Sequence, residues 1–131
     1  MKQNNLLVGA SSEIAKELID LLPAEENHII GTFNNEFNKE RDNLELHKLD
    51  LSNANEIELF VSLLNAKHIK IDKIFFIAAI PGYDNPDLSF LSSPSIDKFI
   101  EFSTVNCFGY VSLLSSIVNL NLLSNNCKIC F

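Results

Sequence analysis

The sequence is short of cations, of cysteine and of long apolar runs, and each shortage removes a class of function. Ten Lys and Arg stand against 17 Asp and Glu, a formal net charge of −7. The cations form no run or stripe, so a nucleic-acid backbone is not an expected partner, because its binding rests on clustered positive charge. Three cysteines, Cys107, Cys127 and Cys130, are too few for a disulfide scaffold. Cys127 and Cys130 have the spacing of a metal-binding pair. They fall in a predicted strand, however, where residues three apart face opposite sides, and no second Cys or His pair lies near them. His28, His47 and His68 sit near element ends without ligand spacing, so no metal site is expected. No stretch approaches the ~18 apolar residues of a membrane helix, and the N-terminus has no signal-peptide core. The expectation is a cytoplasmic chain without a membrane partner. Neither a Walker motif nor a Gly-x-Ser-x-Gly elbow occurs.

What remains is a core-forming sequence of single-domain length. Of its 131 residues 47% are hydrophobic and 21% charged, enough apolar material for one globular domain. Short apolar runs predict strands at 5–9, 28–33, 44–49, 72–80 and 127–131. Helical spacing predicts helices at 12–22 (Ile14, Ala15, Leu18, Ile19, Leu22, then Pro23), at 53–66 (Ile57, Phe60, Val61, Leu64) and at 95–122 (Ile96, Phe99, Ile100, Val105, Leu113, Leu114, Ile117). Residues 34–43 are polar and read as a loop or short helix. Strands that alternate with helices need crossovers, and crossovers give a parallel sheet covered on both faces. The expected fold is therefore a doubly wound α/β sandwich of three layers. A long loop at 81–94 follows a strand's C-terminal end, where such sheets bind ligands. The last residues are apolar and strand-like, whereas domain termini usually reach the surface. The chain is thus expected to be truncated after its fifth strand, the alternative being a short edge strand that finishes the protein.

Between the first strand and first helix stands Val8-Gly9-Ala10-Ser11-Ser12-Glu13-Ile14-Ala15. Glycine permits a tight turn there, and small residues let the backbone approach a pyrophosphate. The helix start offers unpaired N–H groups and the positive end of its dipole. Ser11 and Ser12 add hydroxyl donors. An ordinary capped turn would read the same way, since Ser is a common N-cap.

The octapeptide resembles the glycine motif of the short-chain dehydrogenases/reductases, Thr-Gly-x-x-x-Gly-x-Gly. Gly9 matches, while Val8, Glu13 and Ala15 stand at the Thr and the second and third Gly. Three further elements follow in the family's order. Leu49-Asp50-Leu51-Ser52 is similar to the Asp-(Val/Leu)-(Ser/Thr) element whose Asp contacts adenine; taken alone, Asp50 or Ser52 would cap the next helix. Phe76-Ile77-Ala78-Ala79 is similar to Asn-Asn-Ala-Gly, with Ala78 and Ala79 small enough to leave room for a ribose, or simply packed in the core. Val105-Asn106-Cys107-Phe108-Gly109 is similar to Asn-x-x-Gly, whose Asn supports a proton-relay water. A buried Asn in an apolar helix needs partners; the alternative is an Asn on the solvated face. The resemblance covers essentially the whole chain, places residue 131 in the family's fifth strand, and implies a Rossmann-like sheet with strand order 3-2-1-4-5.

This resemblance implies that residues 1–131 are the NAD(P)-binding domain of an oxidoreductase, incomplete at its C-terminus. The complete enzyme would move a hydride between a nicotinamide cofactor and the carbonyl or hydroxyl of a small-molecule substrate, and could be a homo-oligomer. Cofactor contacts would fall to Gly9, Ser11, Ser12, Glu13, Ile14, Asn34, Asp50, Leu51, Ala78, Ala79 and Asn106. The family's catalytic Ser and Tyr-x-x-x-Lys lie beyond the fifth strand; the Lys charge lowers the pKa of the Tyr that acts as acid/base. Here Tyr83 and Tyr110 are followed four residues on by Asp87 and Leu114. Only Asn106 has a catalytic counterpart, in a supporting role. An acid ending the second strand would hold the ribose 2′-OH and favour NAD. Instead Thr32-Phe33-Asn34-Asn35 has no acid before Glu36, and Lys39 and Arg41 follow, which favours NADP slightly over NAD. The alternatives are a non-catalytic nucleotide-binding module and an inactive gene remnant, whose open fifth strand would invite edge pairing.

Overall fold

Five apolar runs pair into one parallel sheet: β1 (Gln3–Val8), β2 (Asn27–Phe33), β3 (Leu44–Lys48), β4 (Ile71–Phe76) and β5 (Leu123–Cys130). Their order is β3-β2-β1-β4-β5, as the family resemblance implies. The computed structural model describes residues 1–78 and 96–131, the side chains of 98 and 99 excepted. Between the strands run α1 (Glu13–Leu21), α2 (Ala54–Ala66), α3 (Ile96–Ser103) and α4 (Tyr110–Asn119), the last two joined by a π-helical turn, Thr104–Gly109.

Alternation along the strands builds two cores. Leu6, Val8 and Ile30 face Ile57, Phe60 and Leu64 of α2 and Leu113 and Ile117 of α4. Leu7 and Ile29 face Ala15 and Ile19 of α1. Each fully buried aliphatic side chain contributes ~1.5–3 kcal/mol, so both faces of the sheet are held. The result is the doubly wound, three-layer Rossmann-like sandwich. Helices α2 and α4 end alike. His68 and Asn121 take positive φ, 55° and 54°. The next amides reach back, Ile69 N to Leu64 O at 3.1 Å and Leu122 N to Ile117 O at 3.0 Å. These Schellman ends deliver the chain into β4 and β5 side by side.

Several boundaries differ from expectation. Residues 34–43 form a loop and no helix. The run at 72–80 leaves the ladder after Phe76, where the amides of Ile77 and Ala78 both donate to Val8 O at 2.9 and 2.8 Å. Residue 79 and the predicted loop 81–94 lie outside the described residues. The single helix expected at 95–122 is interrupted, because a π turn inserts residues without altering the apolar character that periodicity detects. The last strand begins at Leu123, and its register slips: Ile71 pairs with Leu123, but Lys73 pairs with Lys128. Ser124 to Cys127 therefore bulge. Expected as buried, β5 is an exposed edge over Lys128, Ile129 and Cys130. Among the described residues, no helix is long and apolar enough to cross a membrane.

Toward the N-terminal ends of the strands, polar side chains bond one another. Asn5 Nδ2 donates to Asn27 Oδ1 (2.8 Å), Asn43 Nδ2 to Asn27 O (2.8 Å), and Asn27 Nδ2 to Pro23 O (2.9 Å). All three asparagines are buried. On the opposite face, Glu45 meets His47 at 2.7 Å and also binds Lys67. Burial would raise the Glu45 carboxyl, but the hydrogen bonds from Lys67 and His47 prevail and hold it below the usual carboxylate value.

Candidate functional site

The β1–α1 turn is shaped by two backbone demands. Gly9 has φ +96°, and a Cβ there would lie 2.4 Å from Ala78 N and 2.5 Å from Ala78 Cα. Only glycine accepts both the left-handed conformation and the approach of the β4 end. Across the turn, the amides of Gly9 and Ala10 share Thr32 O at 3.1 and 2.7 Å. Ser12 is the N-cap of α1: its Oγ accepts from Ala15 N at 3.1 Å and its carbonyl from Lys16 N at 3.0 Å. The amides of Glu13 and Ile14 are left without an intrahelical acceptor, at the positive end of the helix dipole. The Glu13 carboxylate turns along the helix to Lys16 Nζ at 2.6 Å, its side chain 88% exposed. An acid at the position of the second family glycine is thus accommodated outside the turn.

Around this turn the C-terminal ends of β1 to β4 enclose an open cleft of about 950 Å³. The turn contributes Gly9, Ser11, Ser12 and Glu13; β2 contributes Thr32 and Phe33, followed by Asn34 and Asn35. Leu49 to Ser52 follow β3, Ala78 follows β4, and Glu101, Thr104 and Val105 come from α3 and the π turn. The cleft lies where the chain, having placed β2 and β3 on one side of β1, returns with β4 on the other. Such a switch point is the standard ligand position of open α/β sheets.

At the β3 end, Asp50 Oδ1 accepts from Ser52 N at 2.9 Å and Ser52 Oγ at 2.7 Å, while Asp50 N donates to Glu56 Oε2 at 2.8 Å. Neither Asp50 nor Ser52 caps α2. Asn53 does, its Oδ1 accepting from Asn55 N and Glu56 N at 3.1 and 3.3 Å. Directly above, a Cβ on Gly109 would lie 2.7 Å from Leu51 O and 2.8 Å from Leu51 Cβ. The π turn therefore rests on the backbone after β3, and its start brings Thr104 and Val105 to the cleft. Thr104 Oγ1 is engaged with Ile100 O at 2.7 Å.

Of the residues singled out in the sequence, the structure brings together Gly9, Ser11, Ser12, Glu13, Asn34, Asp50, Leu51 and Ala78. Ile14 is not among the lining residues; its side chain is 72% exposed, and only its amide remains relevant. Asn106 is half-buried, has a partner, and does not line the cleft. Ala79 falls outside the described residues. Glu101, Thr104 and Val105 also line the cleft and are not among the expected cofactor contacts; α3 supplies Glu101, and the π turn supplies Thr104 and Val105.

Lys39 and Arg41 do not stand where a 2′-phosphate role requires. Lys39 Nζ pairs with Asp20 Oδ1 at 2.7 Å. The Arg41 guanidinium donates to Ile19 O and, at 2.7 Å, to Leu22 O. Both cations sit at the C-terminal end of α1, where they complement its dipole, whereas the cleft adjoins the N-terminal end. Tyr110 is half-buried and packs against the core, its ring 4.6 Å from that of Phe76, and burial pushes its phenol above the usual value. That direction is opposite to the one a catalytic tyrosine base needs. Among the described residues no group of three or more His, Cys, Asp or Glu could hold a metal ion.

No protein-family model matches the chain, and a search of curated proteins finds no match. Solved structures do match. A short-chain dehydrogenase family protein from Francisella tularensis superposes with a TM-score of 0.80 at 20% identity, over 98% of this chain and 50% of that one. A short-chain dehydrogenase from Leptospira borgpetersenii with NAD+ bound gives 0.77 at 19%, over 92% and 46%. A Burkholderia multivorans protein described as a short-chain dehydrogenase/reductase, with NADP bound, gives 0.79 at 17%, over 98% and 57%. At these identities the likeness is one of fold. The chain spans about half the length of the structures it matches.

Proposed function

We propose that the cleft binds a nicotinamide dinucleotide and that the chain is the cofactor-binding part of a short-chain-type oxidoreductase. The observation that carries this reading is the Gly9 turn. It brings a strand end, a capped helix start with two unpartnered amides, and the close backbone of Ala78 to one side of a switch-point cleft. A cleft of about 950 Å³ is within the usual range for cofactor sites. The amides of Glu13 and Ile14 would take the pyrophosphate, with the hydroxyl of Ser11 beside them. Leu51, with Asp50 next to it, would meet the adenine, and Asn34 the adenosine ribose. When bound, the cofactor supplies the hydride that a carbonyl substrate accepts. The group that moves the proton to the substrate oxygen would come from outside this chain, since neither tyrosine is followed by the required lysine.

That absence, together with Tyr110 packed against the core, favours a second reading: a module that binds the nucleotide and performs no chemistry. Calorimetric titration with NADH tests what the two readings share. A 1:1 heat of binding supports both, and no heat with folded protein rejects both. Hydride transfer then separates them. Only the first reading expects turnover once a segment carrying Ser and Tyr-x-x-x-Lys is supplied.

A further inference from the structure

We infer that the cleft selects a dinucleotide whose adenosine ribose carries a free 2′-hydroxyl and discriminates against the 2′-phosphorylated form; this rests on the dinucleotide reading above. In doubly wound sheets the 2′ position is read just past the second strand, by an acid that accepts from the hydroxyl or by an Arg that meets the phosphate. Here that place is occupied by Asn34 and Asn35, both exposed and both lining the cleft. An amide side chain can accept from and donate to a hydroxyl but offers a dianion no charge. The cations that follow in the sequence are engaged elsewhere. Lys39 is held by Asp20 at 2.7 Å, and Arg41 closes the carbonyls of Ile19 and Leu22. Moving either to the β2 end would uncap the last turn of α1 or break that ion pair. Lys16, on the first turns of α1, is held by Glu13 at 2.6 Å.

The charges that do line the cleft are all of one sign. Glu13, Asp50 and Glu101 contribute carboxylates, and among the described residues no Lys, Arg or His joins them. A 2′-phosphate brings a charge of about −1.5 to −2 at neutral pH. Among the described side chains that line the cleft it would meet carboxylates and no cation, in a chain of net charge −7. A free hydroxyl brings no such charge.

ADP-ribose and 2′-phospho-ADP-ribose are the direct probes, titrated by calorimetry into the purified chain at one ionic strength. The expected result is binding of ADP-ribose with the 2′-phosphorylated analogue at least about tenfold weaker, a gap of roughly 1.4 kcal/mol. Asn34→Arg should narrow that ratio, and Lys39→Ala should leave it unchanged. Equal or tighter binding of the phosphorylated probe overturns the inference while leaving the dinucleotide reading intact. A ratio that widens in Lys39→Ala also overturns it, by showing that Lys39 meets the phosphate. No heat with either probe, on protein shown folded by circular dichroism, rejects the dinucleotide reading itself.

Discussion

Toward the N-terminal ends of the strands, Asn5, Asn27 and Asn43 bond one another and the local backbone, and Glu45 gathers His47 and Lys67. At the C-terminal ends the opposite holds. The turn after β1 leaves two helix amides without an intrahelical acceptor, and the carboxylates of Glu13, Asp50 and Glu101 line an open cleft. Both ends are rich in polar groups, but at one they are buried and at the other they face an open cleft. Burying a polar group without a partner costs about 1–3 kcal/mol, and among the described residues Asn5 Oδ1 and Asn43 Oδ1 are such groups. The closed end ties neighbouring strands together through its asparagine bonds, while the open end remains available for a ligand.

The largest expected effect breaks the open end. Gly9→Val should destabilise the fold by about 3 kcal/mol or more, from the φ penalty and the collision with Ala78 backbone. It should also abolish ADP-ribose binding; urea denaturation and calorimetry measure the two. Next, Asn27→Ala should cost about 2 kcal/mol by removing the bonds from Asn5 Nδ2 to Asn27 Oδ1 and from Asn27 Nδ2 to Pro23 O, with nucleotide affinity unchanged. If it weakened ADP-ribose as much as a cleft substitution does, the separation between the two ends would collapse. Ser12→Ala removes the α1 cap and should cost about 1 kcal/mol, here accompanied by weaker ADP-ribose binding. His68→Gly relieves a positive φ of 55° and should stabilise the chain by about 0.5–1 kcal/mol without touching the cleft.

The smallest effect concerns pH. The Glu45 carboxyl is held below its usual value, so its contribution is present above the ordinary carboxylate range and is lost as pH falls through the lowered value. Its ion pairs are partly exposed, which limits the contribution to about 0.5 kcal/mol. Glu45→Gln should flatten that acid limb in thermal melts recorded from neutral to acidic pH. An unchanged acid limb would show that Lys67 and His47 do not hold the charge.

The alternation of apolar runs and amphipathic stretches was enough to read the parallel sheet and both its faces, while the strand order came with the family resemblance. Leu6 and Leu7, or Ile29 and Ile30, announce a strand buried on two sides because consecutive residues must both find a core. The glycine turn was equally legible, since Gly9 is followed by small residues and a helix. What escaped the sequence are features that depend on how an element is wound or where a long side chain ends. The π turn at Thr104–Gly109 leaves no trace in apolar periodicity, yet it brings Thr104 and Val105 to the cleft. The Ser124–Cys127 bulge hides the start of β5 because its residues are mostly polar. Lys39 and Arg41 follow β2 in sequence, but the loop runs back along α1 and their long side chains end at its far terminus.

The contact between Gly9 and Ala78 has a consequence for mutational libraries. The atoms in the way are Ala78 N and Cα, so no substitution at position 78, not even glycine, can compensate for a side chain at position 9. A saturation library across the turn should therefore show an intolerant column at Gly9 with no second-site suppressor at residue 78. Position 13, exposed and already carrying Glu, should tolerate variety, whereas Ala10 and Ala15, fully buried in the core, should accept little that is larger.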